Sequence, residues 1–543
     1  MPSELDARLA DPGYTPARAE LPGLLTIVMG DNEVASDRAE KAVAKLGLVA
    51  VHEVLGALSS TKGAQRARIV RTAGRLARAV EGDAQSRLRV AIIGHLEDED
   101  AVVRRQAIVA LGRLGGGEVV DALCARVRVE TRVEHHRALA DALGKTHDPR
   151  AREALDALRE LARQHGDPSL DRVLAEATIK VRRGEARVAP SKIRVNVRVA
   201  KPRETWFHTR RGLEEFVIEE LLASKLGGRL VAPGLVAATW RGALGELASA
   251  RTALRFGFPL PQQSVKEAGS VDNAVVRALT SDAAAELTSE FTDGAIRYRL
   301  EWAEAGRRRG GSMRVAEAVL EKRPNFVNDS RDAAWEAVVY DRGPLVQVEL
   351  WPRGLTDERF SYRQALLPAG SHPTIAAALA RAARVTDQDV VWDPFVGSAT
   401  ELIECARLAP GAKLYGCDID DAALEAGRTN LAAASVKATL TCMDARAFRA
   451  PVKPTLIISN PPMGRRVADI DSLRDVFAKV IARAAEWLPP GGRMVWLSPV
   501  PEETEALARQ HGLHVTGRRD VDMGGFSAEM QRIERQPRTE PQA

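Results

Sequence analysis

Hydrophobic positions recur at helical spacing through the N-terminal third of the chain. Ala-rich, Leu-spaced runs between 31 and about 178 are separated by short polar breaks, and this pattern predicts a series of α-helices. A short apolar run that ends in glycine recurs weakly along this part, at Gly47, Gly74, Gly112 and Gly144, with spacings of 27, 38 and 32 residues. Recurrence at this period is typical of helix pairs that follow one another along the chain.

The clearest unit of this pattern covers 97–123. Asp100 is placed to cap a helix whose apolar positions share one face, and three glycines at 115–117 end it before a second helix. The unit resembles a HEAT-type repeat, in which each helix pair buries its apolar face by stacking on its neighbours. We therefore expect an all-α, HEAT-like solenoid over 31–180, with an irregular helical bundle as the alternative.

The composition then changes over 180–203. Nine lysines and arginines stand there against a single glutamate, and two prolines punctuate the run. This composition predicts a linker between domains. Its positive charge would also favour a polyanion at low ionic strength.

Residues 204–352 mix both kinds of period. The segment 205–228 predicts a strand followed by a helix, and 296–302 alternates strictly between apolar and charged residues. Such alternation predicts a half-buried strand, with Arg297 and the other charged residues facing solvent. We therefore expect an α+β module over 204–352.

A glycine-flanked basic loop lies inside this module. Arg307, Arg308 and Arg309 precede two glycines and a helix that is predicted to begin near Met313. Backbone amides and guanidinium groups can converge on a phosphate at such a place, and an exposed charged loop is the alternative.

From 373 onward, apolar strands alternate regularly with helices. This order predicts an α/β domain with a mainly parallel, doubly wound, Rossmann-like sheet. Ligands of such sheets bind at the carboxyl ends of the strands, so polar residues at those ends are candidates for chemistry.

The first such motif is DPFVGSATELIE, over 393–404. Asp393 follows a buried strand, Gly397 allows a tight turn close to a ligand, and Ser398 or Thr400 can cap the next helix. A carboxylate suits an amine or hydroxyl ligand better than a phosphate. The segment also lacks a GxGxxG pattern and a P-loop lysine, which argues against binding of ATP or a dinucleotide.

Three further strand ends carry polar motifs. Asp418 is placed to accept hydrogen bonds from ribose hydroxyls, and Asp420 to cap the following helix. Asp444 ends the third strand, where an adenine edge would lie. In SNPPMGRR, two successive prolines make a rigid loop in which Asn460 can offer its amide oxygen to an exocyclic amine.

In this order and spacing, the four motifs resemble those of class I S-adenosylmethionine-dependent methyltransferases, specifically the amino-methylating group with an Asn-Pro-Pro-aromatic motif. The segments SHPTIAAALARAA, DPFVGSATELIECA, DIDDAALEAGRTN and IISNPPMGRRV are similar to those of the THUMP-containing RNA guanine-N2 methyltransferases. The helix over 207–221 is similar to that family's opening segment, and the strand, basic loop and helix over 296–320 are similar to its THUMP module. The resemblance covers about 204 to 535 and places the methyltransferase domain at 365–535.

The resemblance implies a set of site residues. S-adenosylmethionine would be held by Asp393, Pro394, Phe395, Gly397, Ser398, Asp418, Ile419, Asp444, Ala445 and Asn460. The target base would be held by Asn460, Pro461, Pro462 and Met463. The RNA would be held by Arg307, Arg308, Arg309, Arg314, Arg465 and Arg466. No metal is implied.

Three positions depart from the family pattern. Val396 replaces a cysteine, Ala399 replaces the second glycine of the loop, and Met463 replaces an aromatic residue that stacks on the target base. Methionine is polarizable and can pack on a base, although with less contact. Ala399 adds a methyl group close to the expected position of the cofactor.

The resemblance also implies a mechanism. The target guanine is flipped out of its stack, and its exocyclic amine donates to Asn460 and to the carbonyl of Pro461. These acceptors orient the nitrogen lone pair toward the methyl group, and no strong base is needed before attack.

Composition and charge fit this interpretation. The chain has 543 residues, enough for about three or four domains. It carries 78 basic and 73 acidic residues, so its net charge is only +5, and RNA binding would have to rest on local clusters. Its four scattered cysteines form no CxxC pair, and no apolar segment is long enough for a membrane span. We therefore expect a cytoplasmic protein without a membrane partner.

The leading hypothesis is methylation of guanine N2 in rRNA or tRNA, with the HEAT-like repeats available to a protein partner. A non-catalytic RNA-binding scaffold with a decayed methyltransferase domain is one alternative. Adenine-N6 methylation is another, because Asn-Pro-Pro chemistry suits either amine.

Overall fold

Contacts divide the chain into two compact units. In the computed structural model, one unit joins Met1–Lys192 to Pro261–Val348, and the other joins Ile193–Leu260 to Glu349–Ala543. The residues that the structure describes are 4–11, 13–303, 309–368, 370–449, 451–463 and 470–535.

The N-terminal part of the first unit is entirely helical up to residue 188, as the sequence predicts. Its α-helices are Glu4–Arg8, Leu21–Met29, Glu33–Lys45, Val51–Ser60, Gly63–Ala77, Gly82–Gly94, Ala101–Leu114, Gly117–Val127, Val133–Thr146, Arg152–His165 and Pro168–Val188. Asp100 caps the helix Ala101–Leu114 as expected, because its carboxylate accepts from the amide of Val102 at 2.7 Å. One apolar core runs through these helices from Leu9 to Val181.

Three of the four recurring glycines lie at contacts between helices. Gly74, Gly112 and Gly144 face Ala110, Ala142 and Ala177, respectively. A Cβ atom at any of the three would lie 2.6–2.7 Å from the facing alanine, so the helices approach closely only because these residues are glycines. Gly47 is different, since it lies just beyond the helix Glu33–Lys45 with a φ of +60°.

Ion pairs between helices recur at a similar period. Arg75 donates to Asp37 at 2.6 Å, Arg66 to Asp98 at 2.8 Å, and Arg137 to Asp167 at 2.8 Å. The partners lie 38, 32 and 30 residues apart in the sequence. Arg66 and Arg137 reach forward to an aspartate just before a later helix, whereas Arg75 reaches back to an aspartate inside an earlier one.

The predicted linker over 180–203 begins inside a helix, which corrects the sequence interpretation. The helix Pro168–Val188 includes the first nine residues of the predicted linker. Two arginines among these nine residues have partners within the same unit. Arg187 binds both oxygens of the buried Asp329 at 2.7 and 2.8 Å, and Arg183 donates to the side chain of Asn328 at 2.7 Å. These charges are paired with acceptors instead of being solvated.

Arg297 is buried, although the alternation of its strand predicts an exposed side chain. It is 1% exposed and donates to the carbonyls of Ala186 and Ala189 and, at 2.6 Å, to Asp332. Its guanidinium therefore satisfies backbone oxygens at the end of the preceding long helix. Tyr298 is buried as predicted.

The remainder of the first unit is mixed α and β. Its helices are Val265–Ala268, Val271–Leu279, Asp282–Phe291 and Arg309–Lys322, and its strands are Gln263–Ser264, Thr292–Gly294, Ile296–Trp302, Phe326–Asn328 and Trp335–Asp341. The strand Ile296–Trp302 pairs in parallel with both Phe326–Asn328 and Trp335–Asp341.

The second unit begins with a four-stranded antiparallel arrangement. Its strands are Arg203–His208, Gly228–Ala232, Leu235–Trp240 and Arg255–Pro259, and its helix is Glu214–Ala223. Arg251, just before the last strand, binds both oxygens of Glu404 at 2.7 Å, and Arg381 donates to Glu220 at 2.9 Å. These pairs attach the arrangement to the C-terminal domain of the same unit.

The C-terminal domain is the predicted doubly wound sheet. In spatial order its strands are Thr439–Cys442, Lys413–Asp418, Val390–Asp393, Leu456–Ser459, Arg493–Ser498, Ser527–Glu534 and His514–Asp522. The first five are parallel and the last two antiparallel. The helices are Pro373–Ala383, Thr400–Leu408, Asp421–Ala433, Ile470–Trp487 and Pro501–Gln510.

This grouping differs from the predicted series 31–180, 204–352 and 365–535. The segment 204–260 belongs to the unit of the C-terminal sheet, whereas 261–348 belongs to the unit of the N-terminal helices. The ion pairs of Arg251 and Arg187 show why, since each joins residues more than a hundred positions apart.

No single helix in the described part of the chain has the length and hydropathy of a membrane span. One pair has that length and hydropathy only when its two parts are taken together: the helix Glu33–Lys45 and the segment Gly47–Ser60. The two parts are bent by 117° where they meet.

Candidate active site

Three predicted site residues meet at one edge of the C-terminal sheet. The strand Val390–Asp393 lies between Lys413–Asp418 and Leu456–Ser459 and is parallel to both. Its terminal Asp393 is therefore flanked by Asp418 on one side and by Asn460 on the other. The sequence predicts this convergence, because parallel strands end on the same side.

Asp393 is fully buried. One carboxylate oxygen accepts from the Ser459 hydroxyl at 2.7 Å and from the Phe395 amide at 3.0 Å. The other oxygen is buried with no hydrogen-bond partner among the described residues. Burial and the neighbouring Glu401 carboxyl raise the pKa of Asp393 well above its usual range.

Asp418 holds the glycine-containing loop after the first strand. One of its oxygens accepts from the Gly397 amide at 2.9 Å, and the other from the Asp420 amide at 3.0 Å. Ile419 follows with 73% of its surface exposed. An exposed apolar side chain thus lies beside a strand-end carboxylate. Asp420 caps the next helix through the Ala422 amide, as predicted.

The loop after Asp393 contains two residues with positive φ. Gly397 has a φ of 47° and Ala399 a φ of 61°, the left-handed region in which an alanine costs about 1–2 kcal/mol. The Ala399 methyl is buried in the apolar core of the domain. Ser398 is buried beside Thr400, and Pro394 and Ala445 are also buried.

Asp444 lies two residues beyond the strand Thr439–Cys442. Its carboxylate is paired with Arg446 at 2.6 Å, and this hydrogen bond lowers its pKa. Asp444 also lines a cavity of about 540 Å³ together with Arg446 and Lys479. The carboxylate that the sequence predicts to meet adenine is therefore already paired with a guanidinium group.

Asn460 presents its side-chain amide in one orientation. Its Nδ2 donates to the hydroxyl of Ser371 at 2.7 Å, and its Oδ1 is buried without a partner among the described residues. Pro461 behind it is buried, while Pro462 and Met463 are partly exposed. Met463 packs against the apolar core that includes Val396 and Ala399.

Two further polar residues lie at this site and are not among those predicted from the sequence. Ser371 lies just before the helix Pro373–Ala383, and Glu401 lies in the first turn of Thr400–Leu408. Glu401 is 3% exposed, and burial raises its pKa to about 7. A charged residue inside an otherwise apolar helix start was the available signal for Glu401.

The predicted RNA-binding arginines are only partly covered by the structure. Arg307, Arg308, Arg465 and Arg466 lie outside the described residues, as does the side chain of Arg309. Arg314 is described and binds Asp272 at 2.6 Å, with 69% of its side chain exposed. Their roles stay predictions.

Known proteins are similar to this chain in sequence and in fold. The sequence family described as "UPF0020: RMKL-like, methyltransferase domain" matches residues 361–529. A tRNA (guanine(6)-N2)-methyltransferase of Thermus thermophilus is 30% identical over 247 residues, which are 43% of this chain and 71% of that protein. The U6 snRNA (guanine-N(2))-methyltransferase THUMPD2 of Bos taurus is 28% identical over 152 residues, 27% of this chain and 28% of that one.

Two solved structures have the same fold. TrmN from Thermus thermophilus matches with a TM-score of 0.51 and 24% identity, over 61% of this chain and 99% of that one. SMU.472, solved in complex with SAH, matches with a TM-score of 0.51 and 16% identity, over 63% of this chain and all of that one.

Proposed function

Because this chain belongs to the family of S-adenosylmethionine-dependent RNA methyltransferases that act on guanine N2, we propose that it methylates a guanine in tRNA. The similarity to the Thermus thermophilus tRNA enzyme supports tRNA as the substrate, since it extends over most of that protein. Ribosomal RNA is the second candidate.

The buried Oδ1 of Asn460 is the observation that carries this proposal. A buried acceptor without a partner costs about 1–3 kcal/mol, so its retention needs a reason. The exocyclic amine of a flipped base has two N–H donors, and it could bind Oδ1 and the carbonyl of Pro461 together. The site thus supplies acceptors for an amine.

The strand-end residues fit the nucleoside part of the cofactor. Asp418 would accept from the ribose hydroxyls while it holds the amide of Gly397. Exposed Ile419 would lie against the adenine, and Asp444 would meet the adenine amine. S-adenosylmethionine supplies an electrophilic methyl group when bound.

The residues around Asn460 would promote methyl transfer by orienting the target amine. Two acceptors fix the amine so that the nitrogen lone pair faces the methyl group, and they stabilise positive charge as it develops on nitrogen. The amine becomes strongly acidic only after methylation, so it can lose its proton afterwards.

We propose that the other parts of the chain bind partners. The α+β segments would act as a THUMP-like RNA-binding module, with the basic loop at 307–309 on phosphates. The N-terminal helices would form a HEAT-like solenoid that recruits a protein, as the recurring glycine contacts and ion pairs suggest. The four free cysteines are compatible with the proposed cytoplasmic location.

Asn460→Ala tests the function directly. The full chain and the variant would be incubated with labelled S-adenosylmethionine and with tRNA from a strain that lacks the enzyme, followed by mass spectrometry of nucleosides. We expect N2-methylguanosine from the wild type only. Affinity for S-adenosylmethionine should stay largely intact, because Asn460 would act on the target amine and supply little of the binding energy.

Other outcomes would decide between the alternatives. N6-methyladenosine in the product would replace guanine by adenine as the target. A product from rRNA but not from tRNA would change the substrate. Equal transfer by wild type and Asn460→Ala would remove Asn460 from the mechanism.

A further inference from the structure

The last two strands of the C-terminal sheet carry a turn beside the candidate active site. His514–Asp522 and Ser527–Glu534 are antiparallel to each other, and Ser527–Glu534 is antiparallel to Arg493–Ser498. His514–Asp522 therefore runs in the same direction as the five parallel strands. Its turn at 523–526 lies at the edge of the sheet that carries Asn460.

The register of the strands places this turn beyond the level of Asn460. Ser459 is level with Arg518 across the two intervening strands, so Asp522 lies three residues further out than Asn460. At the usual rise of a strand, this is about 10 Å. The two strands are three positions apart in the sheet, which is about 14 Å sideways.

The turn borders the half of the site that faces away from the proposed cofactor residues. In the sheet order, the strand ends that carry Asp418 and Asp444 lie on one side of Asn460, and the turn lies on the other. Met463, which is expected at the target base, and Met523 in the turn pack against the same apolar core. The cofactor site and the turn thus flank the position proposed for the target nucleotide.

A loop near the start of the second unit holds Arg210 against this turn. Arg210 donates to the carbonyl of Asp522 at 3.2 Å, and the amide of Asp522 donates to the carbonyl of Arg211 at 3.0 Å. A Cβ atom at Gly212 would lie 1.9 Å from the carbonyl oxygen of Asp520. The loop therefore approaches the strand this closely only because residue 212 is glycine.

The charge of Arg210 has no carboxylate partner among the described residues. Its buried Nε has no acceptor among them either, and the Asp522 carboxylate accepts from the amide of Gly524 at 2.8 Å. Arg518 and Arg519 on the adjoining strand differ, because each pairs with a glutamate. A partly buried guanidinium without a counterion suits an anionic ligand with several acceptor oxygens, such as a phosphate.

Two glycines leave room beside this guanidinium. Gly524 and Gly525 are exposed and have φ values of 87° and 102°. A Cβ atom at Gly524 would lie 3.2 Å from a terminal nitrogen of Arg210, whereas no described atom lies within 4 Å of the Cβ position of Gly525. The tip of the turn therefore leaves open space next to Arg210.

We propose that Arg210 binds a backbone phosphate of the RNA beside the flipped guanine, on the side of the base that faces away from the cofactor. This inference rests on the proposed methylation of a guanine in RNA. Phosphate contacts fix the position of a nucleic acid without reading its sequence. Arg210 and Asn460 would thus hold the target nucleotide at its two ends, the phosphate and the amine.

Binding of tRNA to a variant of Arg210 tests this contact. Fluorescence anisotropy would compare the full-length wild type and Arg210→Gln with labelled tRNA between about 50 and 200 mM salt. We expect Arg210→Gln to bind about tenfold more weakly, with the slope of log K against log salt reduced by about one unit. Arg535→Gln is the matched control and should bind like the wild type. Arg535 also donates to backbone carbonyls, but it lies at the opposite edge of the sheet.

A neutral phosphate tests whether the contact is at the target nucleotide. The guanine that the wild type methylates would be mapped, and tRNA would be assembled with a methylphosphonate on its 5′ or its 3′ side. One of the two replacements should weaken binding to the wild type about tenfold and cause little further loss in Arg210→Gln, because both changes remove the same contact. Arg210→Lys keeps the charge without the fork of donors, so its loss should be intermediate.

Calorimetry with S-adenosylmethionine separates this role from a structural one. We expect Arg210→Gln to bind the cofactor as tightly as the wild type and to unfold at the same temperature. Weaker cofactor binding would overturn the proposal, because the loss of RNA affinity would then be structural. An unchanged salt slope in folded Arg210→Gln would overturn it as well, as would methylphosphonate losses that are equal in wild type and variant at both positions.

The two proposals fail in distinguishable ways. Absence of methyl transfer by the wild type would contradict the proposed function, while the salt slope would still decide whether Arg210 contacts RNA. If Arg210→Gln fails to fold, Arg210→Lys gives the decision. An equal loss in wild type and Arg210→Lys with both methylphosphonates would then overturn the contact.

Discussion

Asp418 and Gly397 are joined by a hydrogen bond of 2.9 Å from the glycine amide to the carboxylate. The end of the second strand thereby fixes the loop that follows the first. The Asp418 side chain thus shapes the loop and, in the proposed cofactor site, would also present an acceptor to the ribose.

Asp418→Ala should weaken binding of S-adenosylmethionine about ten- to a hundredfold. It removes a charge-assisted hydrogen bond, worth about 1.5–3 kcal/mol. Calorimetry with the cofactor measures the effect, and Asp421→Ala, at an exposed position on the following helix, is the control. Equal affinities for wild type and Asp418→Ala would place the ribose elsewhere.

Gly112→Ala should destabilise the N-terminal helices by about 1–3 kcal/mol, because the new Cβ would lie 2.6 Å from Ala142. Gly56→Ala is the matched control in a helix interior, since nothing lies within 4 Å of its Cβ position. We expect this control to stabilise the protein by about 0.5–1 kcal/mol. Urea unfolding followed by circular dichroism compares the two, and a neutral Gly112→Ala would contradict the close helix contact.

Arg187→Ala should destabilise the first unit by about 1–3 kcal/mol at neutral pH, because it leaves the buried carboxylate of Asp329 without its bidentate partner. The pair holds the pKa of Asp329 below its usual value. Its contribution is therefore present above that usual value and is lost as the pH falls through the lowered one. The difference in free energy of unfolding between wild type and Arg187→Ala should be smaller at pH 3 than at pH 7. The exposed control Lys192→Ala should have no effect on stability at either pH.

Glu401→Gln should make the protein more stable at pH 8, by up to about 3 kcal/mol. Burial raises the pKa of Glu401 to about 7. The protonated carboxyl therefore contributes to the stability of the folded protein in full below the usual glutamate pKa. This contribution is lost as the pH rises through 7. Glutamine resembles the protonated form, and the gain should disappear near pH 5. Thermal unfolding at both pH values measures it. A gain that is equal at both would show that the carboxyl does not titrate in this range.

Replacement of Arg307, Arg308 and Arg309 by alanine should weaken RNA binding and reduce its dependence on salt. Each lost phosphate contact lowers the slope of log K against log salt by about one unit. Fluorescence anisotropy with labelled tRNA at several salt concentrations measures the slope. Arg428→Ala, on an exposed helix of the methyltransferase domain, is the control, and an unchanged slope would show that the loop does not contact RNA.

The sequence determined the fold of the C-terminal domain and the placement of its motifs. Alternating apolar strands and helices specify a parallel sheet, and the rule that such strands end at one edge brings Asp393, Asp418 and Asn460 together. The recurring glycines could also be read from the sequence, since Gly74, Gly112 and Gly144 lie at helix contacts on every second helix. These features depend on local period and order, which a sequence contains directly.

Tertiary structure alone decided which charges are buried and what they contact. Alternation places Arg297 outside, yet carbonyls more than a hundred residues away bring its guanidinium inside. Ser371, Glu401 and Asn460 lie 30 and 59 residues apart in the sequence, and no local pattern connects them. Burial of a charge depends on the partners that distant segments supply, and those partners exist only once the chain has folded.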